Sequence, residues 1–177
     1  DIETWENTPG ASVMSVREAS FLAWTRFYRQ DENYVNTGIS YYLKGGLIGM
    51  LLDIRLRTSS KGRVSLDDVM LRLLREYGWP KPGFPRETLE RVVEELSGES
   101  WRDWFAYPLD QTKPLELAKA LRSMGLELKR VPKANGATSI VASGTKRDPW
   151  LGWEIKPRNG TLMVTAVHSQ SPAMHAG

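Results

Sequence analysis

The chain contains no cysteine in its 177 residues. Disulfides, thiolate metal sites and a cysteine nucleophile are excluded together. Histidine is scarce. His168 and His175 both lie near the C-terminus, and neither belongs to an H-E-x-x-H pair. The usual histidine-built zinc site cannot be assembled from these residues alone, and no metal ligand is assigned. No apolar run reaches bilayer length. The longest, Leu43 to Leu52, is broken by Lys44 and by glycines and reads as a buried helix. There is no repeat and no low-complexity tract. The formal net charge is only +3, with basic and acidic residues interspersed. A nucleic-acid footprint would be a basic stripe, and none is present. The first residues, Asp1 to Trp5, show neither a basic n-region nor an apolar h-region, so no signal peptide is visible. The expectation is a chain free of membrane and nucleic acid, cytoplasmic, with a periplasmic location left open because the residues before Asp1 are not in the sequence.

The residues that are present form a helical half and then a β half. Residues 1 to 14 read as irregular around the turn Asn7-Thr8-Pro9-Gly10. Ser15 and Glu18 then form a capping box for a helix ending near Arg29. Phe21, Trp24, Phe27 and Tyr28 recur on it at helical spacing, which predicts a core-facing aromatic stripe. A polar loop, Gln30 to Gly38, precedes a helix from about Ile39 to Arg57. Further helices are expected at Leu66 to Tyr77, capped by Ser65, at about Arg86 to Leu96, stopped by Gly98, and at Trp101 to Tyr107, closed by Pro108. Another spans Pro114 to Ser123. Beyond Gly125 the periodicity switches to two, with Leu126, Leu128 and Arg130 alternating with Glu127, Lys129 and Val131. Ile140 and Val141 form a short apolar pair. Leu151 to Ile155 and Thr161 to Val167 read as strands joined through Asn159-Gly160, the strongest short hairpin signal.

The most informative stretch is Ile39 to Asp53. Two tyrosines open a helix; a lysine, glycines and an apolar run come after them. A tyrosine at a helix mouth can aim its phenol O–H at an oxyanion developing during acyl transfer. The same residues also suit a core role, with their hydroxyls satisfied by backbone. Gly45, Gly46 and Gly49 each cost the helix about 1 kcal/mol relative to alanine. Close approach of another backbone would account for them. Lys44 reads as a snorkelling helix residue.

Four blocks in order, Trp5-Glu6-Asn7-Thr8-Pro9-Gly10, Ala19-Ser20-Phe21-Leu22-Ala23-Trp24, Tyr28-Arg29-Gln30-Asp31-Glu32-Asn33 and Ile39-Ser40-Tyr41-Tyr42-Leu43-Lys44-Gly45, resemble the later part of the glycyl aminopeptidases. These are zinc peptidases of the gluzincin type that carry a C-terminal PDZ domain. The resemblance implies a thermolysin-like catalytic region whose H-E-x-x-H helix and glutamate ligand are absent from this sequence. It implies that zinc is a cofactor of the intact parent and not of this chain. In the related aminopeptidases a Tyr-x-Lys-Gly motif supplies the tyrosine that stabilises the tetrahedral intermediate. Its counterpart is Tyr42, with Tyr41 the alternative. Asp31, Glu32 and Asn33 become candidates to receive a substrate's terminal ammonium, against the competing reading of a solvated loop.

The tail carries a second resemblance. Trp150-Leu151-Gly152-Trp153-Glu154-Ile155 is similar to the carboxylate-binding loop and first peptide-facing strand of a PDZ domain, and Ser171-Pro172-Ala173 with Ala176-Gly177 is similar to its S-P-A-x-x-A-G turn. Leu151, Gly152 and Trp153 are the candidate binders of peptide C-termini. The expected fold class is α+β. It comprises a helical subdomain of an aminopeptidase-like catalytic region over residues 1–110, a linking helix and strands over 111–148, and an incomplete PDZ-like unit over 149–177. The expected activity belongs to the intact parent: hydrolysis of peptides at an N-terminal glycine or alanine, with the isolated chain inactive. The alternative is a non-catalytic peptide-binding module. An open β edge would be covered, in one arrangement by a second copy of the chain.

Overall fold

The computed structural model describes residues 2–85, 87–131 and 150–177. The apolar pair Ile140 and Val141, Arg86, and most of the 111–148 linking segment after Val131 lie outside the described residues. The chain divides into two compact units, Asp1–Glu127 and Leu128–Gly177. The first is helical and the second holds a β hairpin, so the fold class is α+β.

In the first unit the helices are α1 (Ile2–Glu6), α2 (Val16–Phe21), α3 (Tyr34–Thr37), α4 (Tyr41–Ser59), α5 (Leu66–Tyr77), α6 (Thr88–Ser97), α7 (Arg102–Asp110) and α8 (Leu117–Ser123). A 3₁₀ turn spans Pro9–Ser12 and a π-helical turn spans Ala23–Phe27. Local chemistry sets several of these boundaries. Ser40 caps α4 by accepting the Leu43 N–H at 3.2 Å. Ser65 and Asp68 form a reciprocal capping box on α5. Asp53 then ties α4 to α5: one carboxylate oxygen accepts from Leu66 N–H at 2.8 Å and the other from Arg57 Nε at 2.8 Å. Gly98, at φ +73°, ends α6 in the left-handed conformation that glycine adopts without a steric penalty.

The core of this unit joins Leu52 and Leu56 of α4, Val69 and Leu73 of α5, Val92 and Val93 of α6, and Trp101 and Phe105 at α7. Burying an aliphatic side chain of this kind contributes about 1.5–3 kcal/mol, which is why α4 serves as the central rod. Trp101 is fully buried; its indole N–H donates to Ser97 Oγ at 2.7 Å, and Arg55 lies 4.6 Å over its ring. The α4 start is held from below by a second contact set. Gly10 meets Gly38 so closely that an added Cβ would lie 2.1 Å from the Gly38 carbonyl oxygen. Tyr34 folds over Gly38 and donates its hydroxyl to the Ile39 carbonyl at 2.9 Å.

Several expectations are corrected. The helix beginning at Ser15 does not run unbroken to Arg29, because it widens into the π turn after Leu22. Pro108 does not close α7 but sits inside it, buried, with the helix continuing to Asp110. Residues 126–131 alternate in sequence but form no strand. The glycines of α4 meet no backbone among the described residues: an added Cβ at Gly45 or Gly46 has no neighbour within 4 Å.

In the second unit, β1 (Trp153–Arg158) pairs antiparallel with β2 (Thr161–Val167), with a register irregularity at Glu154/Ile155. The connecting residues Asn159 and Gly160 have φ of 51° and 78°. Both positive values are what a type I′ turn requires. A last helix, α9 (Pro172–Ala176), is capped by Ser171, which accepts the Met174 N–H at 3.1 Å.

Two substitutions test this packing. Gly10→Ala should destabilise the first unit by about 1–3 kcal/mol, the scale of forcing a group into filled space. Gly45→Ala should stabilise the isolated chain by up to about 1 kcal/mol, because it fills an open helix position. Urea unfolding of both variants beside the parent chain checks the opposite signs.

Candidate active site

The site candidates gather at the N-terminal end of α4. Tyr41 and Tyr42 occupy its first turn, their rings 4.2 Å apart. The Tyr28 hydroxyl, at the end of the π turn, reaches both: it lies 3.2 Å from Tyr41 Oη and 3.0 Å from Tyr42 Oη. Phe27 packs edge-on against Tyr28, Tyr41 and Tyr42 with ring centres 5.2–6.0 Å away. Edge-to-face geometry of this kind fixes ring orientation. Tyr42 is 62% exposed, so its phenol is open to a reacting group brought to this surface.

The aromatic stripe expected to face the core faces outward. Phe21 is 87% exposed and Trp24 79% exposed, and Tyr28 is also exposed. The covered face of this segment is carried by the smaller Val16, Ala19 and Ala23, at i, i+3 and i+7, and Phe21 and Trp24 lie off it. The π turn, closed by Tyr28 N–H donating to the Ala23 carbonyl at 3.0 Å, then shifts the phase of the side chains that follow it.

Hydrogen bonding splits the phenols electrostatically. The bond with Tyr28 pushes the Tyr41 phenol well above its ordinary range. The bonds with Tyr28 and with Tyr41 pull Tyr42 below that range. A phenol that ionises more readily is the stronger hydrogen-bond donor toward a negative oxygen.

Lys44 does not snorkel. It is fully buried, its Nζ donates to the Gln111 carbonyl at 3.0 Å and lies 5.1 Å from the centre of the Trp5 ring. Burial lowers its pKa, because the charged form loses water. It stands one helical step behind the tyrosines and joins α1, α4 and the residue just after α7.

Asp31, Glu32 and Asn33 are all exposed. Asp31 Oδ1 accepts the Asn33 N–H at 3.1 Å and Asn33 Oδ1 accepts from Asn36 Nδ2 at 2.9 Å, so two of the three side chains shape their own loop. In the second unit, Gly152 is buried at φ +77° directly against Ser171, while Leu151 and Trp153 are exposed. The Gly152 carbonyl accepts the His168 N–H at 2.7 Å and the Leu151 carbonyl accepts the Ala173 N–H at 3.0 Å. Both loop carbonyls are therefore turned toward the body of the hairpin unit.

Sequence reasoning missed Tyr28 and Lys44 as parts of the site. Tyr28 carried a signal, since it immediately precedes the polar loop and not an apolar turn. Lys44 carried none, because a lysine amid Leu and Ile gives no hint of a carbonyl 67 positions away.

Among the described residues, no three His, Cys, Asp or Glu side chains stand together closely enough to hold a metal ion. Among the same residues, no helix is long and apolar enough to cross a membrane. A cleft of about 300 Å³ opens between the C-terminal half of α4 and α7–α8, lined by Leu51, Ile54, Trp104 and Pro108 among others. Leu51 stands nine residues beyond Tyr42, roughly 13 Å along the helix axis, so this cleft is separate from the tyrosine cluster.

Residues 1–48 match the family model of the M61 glycyl aminopeptidases. The whole chain is similar to an aminopeptidase N family protein from Idiomarina loihiensis known from a crystal structure. Identity is 32%, the TM-score is 0.83, and the match covers 100% of this chain and 30% of that one. No functionally curated protein matches. The fold and these likenesses define a peptidase-related segment with an aminopeptidase-type fold. The chain is related to the glycyl aminopeptidases, and it spans 30% of the length of the solved structure it resembles.

The buried lysine yields a pH prediction. With its pKa lowered on folding, Lys44 binds its proton more weakly in the folded chain than in the unfolded one. Its burial penalty is absent above the unfolded value, near 10.4, and is complete once pH has fallen below the lowered folded value. Stability should therefore rise with pH across that window. Lys44→Met should remove this rise while keeping the apolar stem, as read from urea unfolding of both proteins between about pH 7 and 10.5.

Proposed function

We propose that this chain is the C-terminal portion of a zinc-dependent aminopeptidase that hydrolyses peptides at N-terminal residues such as glycine or alanine, and that Tyr42 stabilises the oxyanion of the tetrahedral intermediate. The supporting observation is the phenol itself. Tyr42 occupies the first turn of α4, is exposed, shares a hydrogen bond with Tyr28, and is held below the ordinary phenol range by its bonds with Tyr28 and Tyr41. A preformed donor aimed where charge develops contributes to the transition state more than to the ground state. Tyr41 is the alternative donor; it is more buried, and hydrogen bonding pushes its pKa in the opposite direction. The zinc implied by the family would be held by residues outside this chain, where its part is to polarise the scissile carbonyl and activate water. Asp31 and Glu32 are the acidic groups nearest in sequence that can receive the substrate's ammonium.

A second reading concerns the hairpin unit. With the Leu151 and Gly152 carbonyls bonded inward, the loop before β1 has the arrangement that suits capture of a peptide carboxylate by backbone N–H groups. Exposed Trp153, Ile155 and Val164 leave apolar surface for a peptide or a second copy of the chain.

In the full-length peptidase carrying this segment, Tyr42→Phe should lower kcat about 10²- to 10³-fold with little change in KM, the scale of losing one oxyanion donor. Steady-state hydrolysis of a glycyl or alanyl anilide checks it, and a near-normal kcat would remove Tyr42 from the mechanism. The isolated chain with added zinc should show no turnover of the same substrates.

A further inference from the structure

We infer that Tyr28 is a positioning residue for the oxyanion donor: its hydroxyl, seated between those of Tyr41 and Tyr42, fixes the direction of a one-way hydrogen-bond chain that leaves the Tyr42 proton free to point at substrate. The inference rests on the oxyanion reading of Tyr42 and adds a residue to that site.

The geometry limits the ways the protons can be arranged. A phenol has one O–H to donate and lone pairs to accept with. Tyr28 lies within hydrogen-bond distance of both neighbours, 3.2 Å from Tyr41 Oη and 3.0 Å from Tyr42 Oη. It can donate to only one of them. If it donates to Tyr42, it can accept from Tyr41, and the Tyr42 proton is then not needed for either bond to Tyr28. That proton is the one available to a reacting carbonyl oxygen. If it donates to Tyr41, Tyr42 must direct its proton at Tyr28, and the donor is consumed inside the cluster. Hydrogen bonds with Tyr28 and with each other push the Tyr41 phenol up and the Tyr42 phenol down. Successive bonds in such a chain polarise one another, so the terminal donor is stronger than an isolated phenol.

The fold supplies the rigidity this role needs. Tyr28 closes the π turn through its own backbone bond to Ala23 and stacks between Trp24 and Phe27, each 5.2 Å away by ring centre. Phe27 in turn packs against Tyr41 and Tyr42. The π turn therefore carries both the hydroxyl that orients the donor and the ring that supports it.

The test is a double-mutant cycle in the full-length protein, with hydrolysis of an alanyl anilide as the readout. Tyr28→Phe keeps the ring and its stacking and removes only the hydroxyl. It should lower kcat about 3- to 10-fold, the scale of one neutral hydrogen bond, and leave KM unchanged. In the Tyr42→Phe background the same substitution should have no further effect, because Tyr28 acts through the Tyr42 hydroxyl. An unchanged kcat in Tyr28→Phe would overturn the inference. So would losses that multiply in the double variant, because an independent structural effect adds to that of Tyr42. If Tyr42→Phe alone retains full activity, the oxyanion assignment falls and this inference falls with it. Loss in Tyr42→Phe with none in Tyr28→Phe overturns this inference alone.

Discussion

The burial of one ammonium group governs how the helical unit is assembled. Lys44 gives up its water at the start of the central helix and receives in exchange a backbone carbonyl from Gln111 and the face of Trp5. A charge in that position is tolerated only while both partners stay in place. The end of α7, the N-terminal helix and the first turn of α4 therefore have to come together in one arrangement. The Arg17–Asp110 ion pair closes the same junction one residue earlier in the chain, joining α2 to the last residue of α7. Tyr41 and Tyr42 precede the lysine on the same turn, so the constraint that organises the unit also sets where the phenols stand.

Around that anchor the molecule separates rigidity from access. The apolar surface of α4 is spent on Val69, Val92 and Trp101 of its neighbours. The opposite positions, Tyr42, Gly45, Gly46 and Gly49, succeed one another at helical spacing, and three of the four carry no side chain. A phenol on a helix face stripped of bulk is held by the interior and unobstructed on the outside. Phe21 and Trp24 extend this exposed aromatic region along α2 and the π turn.

Much of the helical pattern was legible because it depends on neighbours a few residues apart. Ser65 with Asp68, Gly98, and Asn159-Gly160 each encode their geometry within four positions, and each takes the conformation expected of it. The misses share a different cause. Phe21 and Trp24 face out because the covered side of their segment is carried by the smaller Val16, Ala19 and Ala23, and aromatic spacing alone does not reveal which side is covered. Lys44 is buried because of Gln111, a partner 67 residues away. Leu126 to Val131 have strand periodicity but do not take strand conformation. The tyrosines at the head of α4 were legible as a pair; the third phenol that joins them was hidden inside the aromatic stripe.

The hairpin ladder contains one residue that cannot donate. Arg158 and Thr161 close the two-residue turn as a pair, so the strict alternation of an antiparallel ladder turns the Pro157 nitrogen to the outer side of β1. That border therefore lacks one hydrogen-bond donor close to the turn. Among the described residues no strand pairs with that border, and one added along the earlier residues of β1 loses its register at the proline. The exposed Ile155, Leu162 and Val164 make this a surface from which fibrils could otherwise grow. Pro157 acts there as a gatekeeper, admitting a short guest and terminating an endless one.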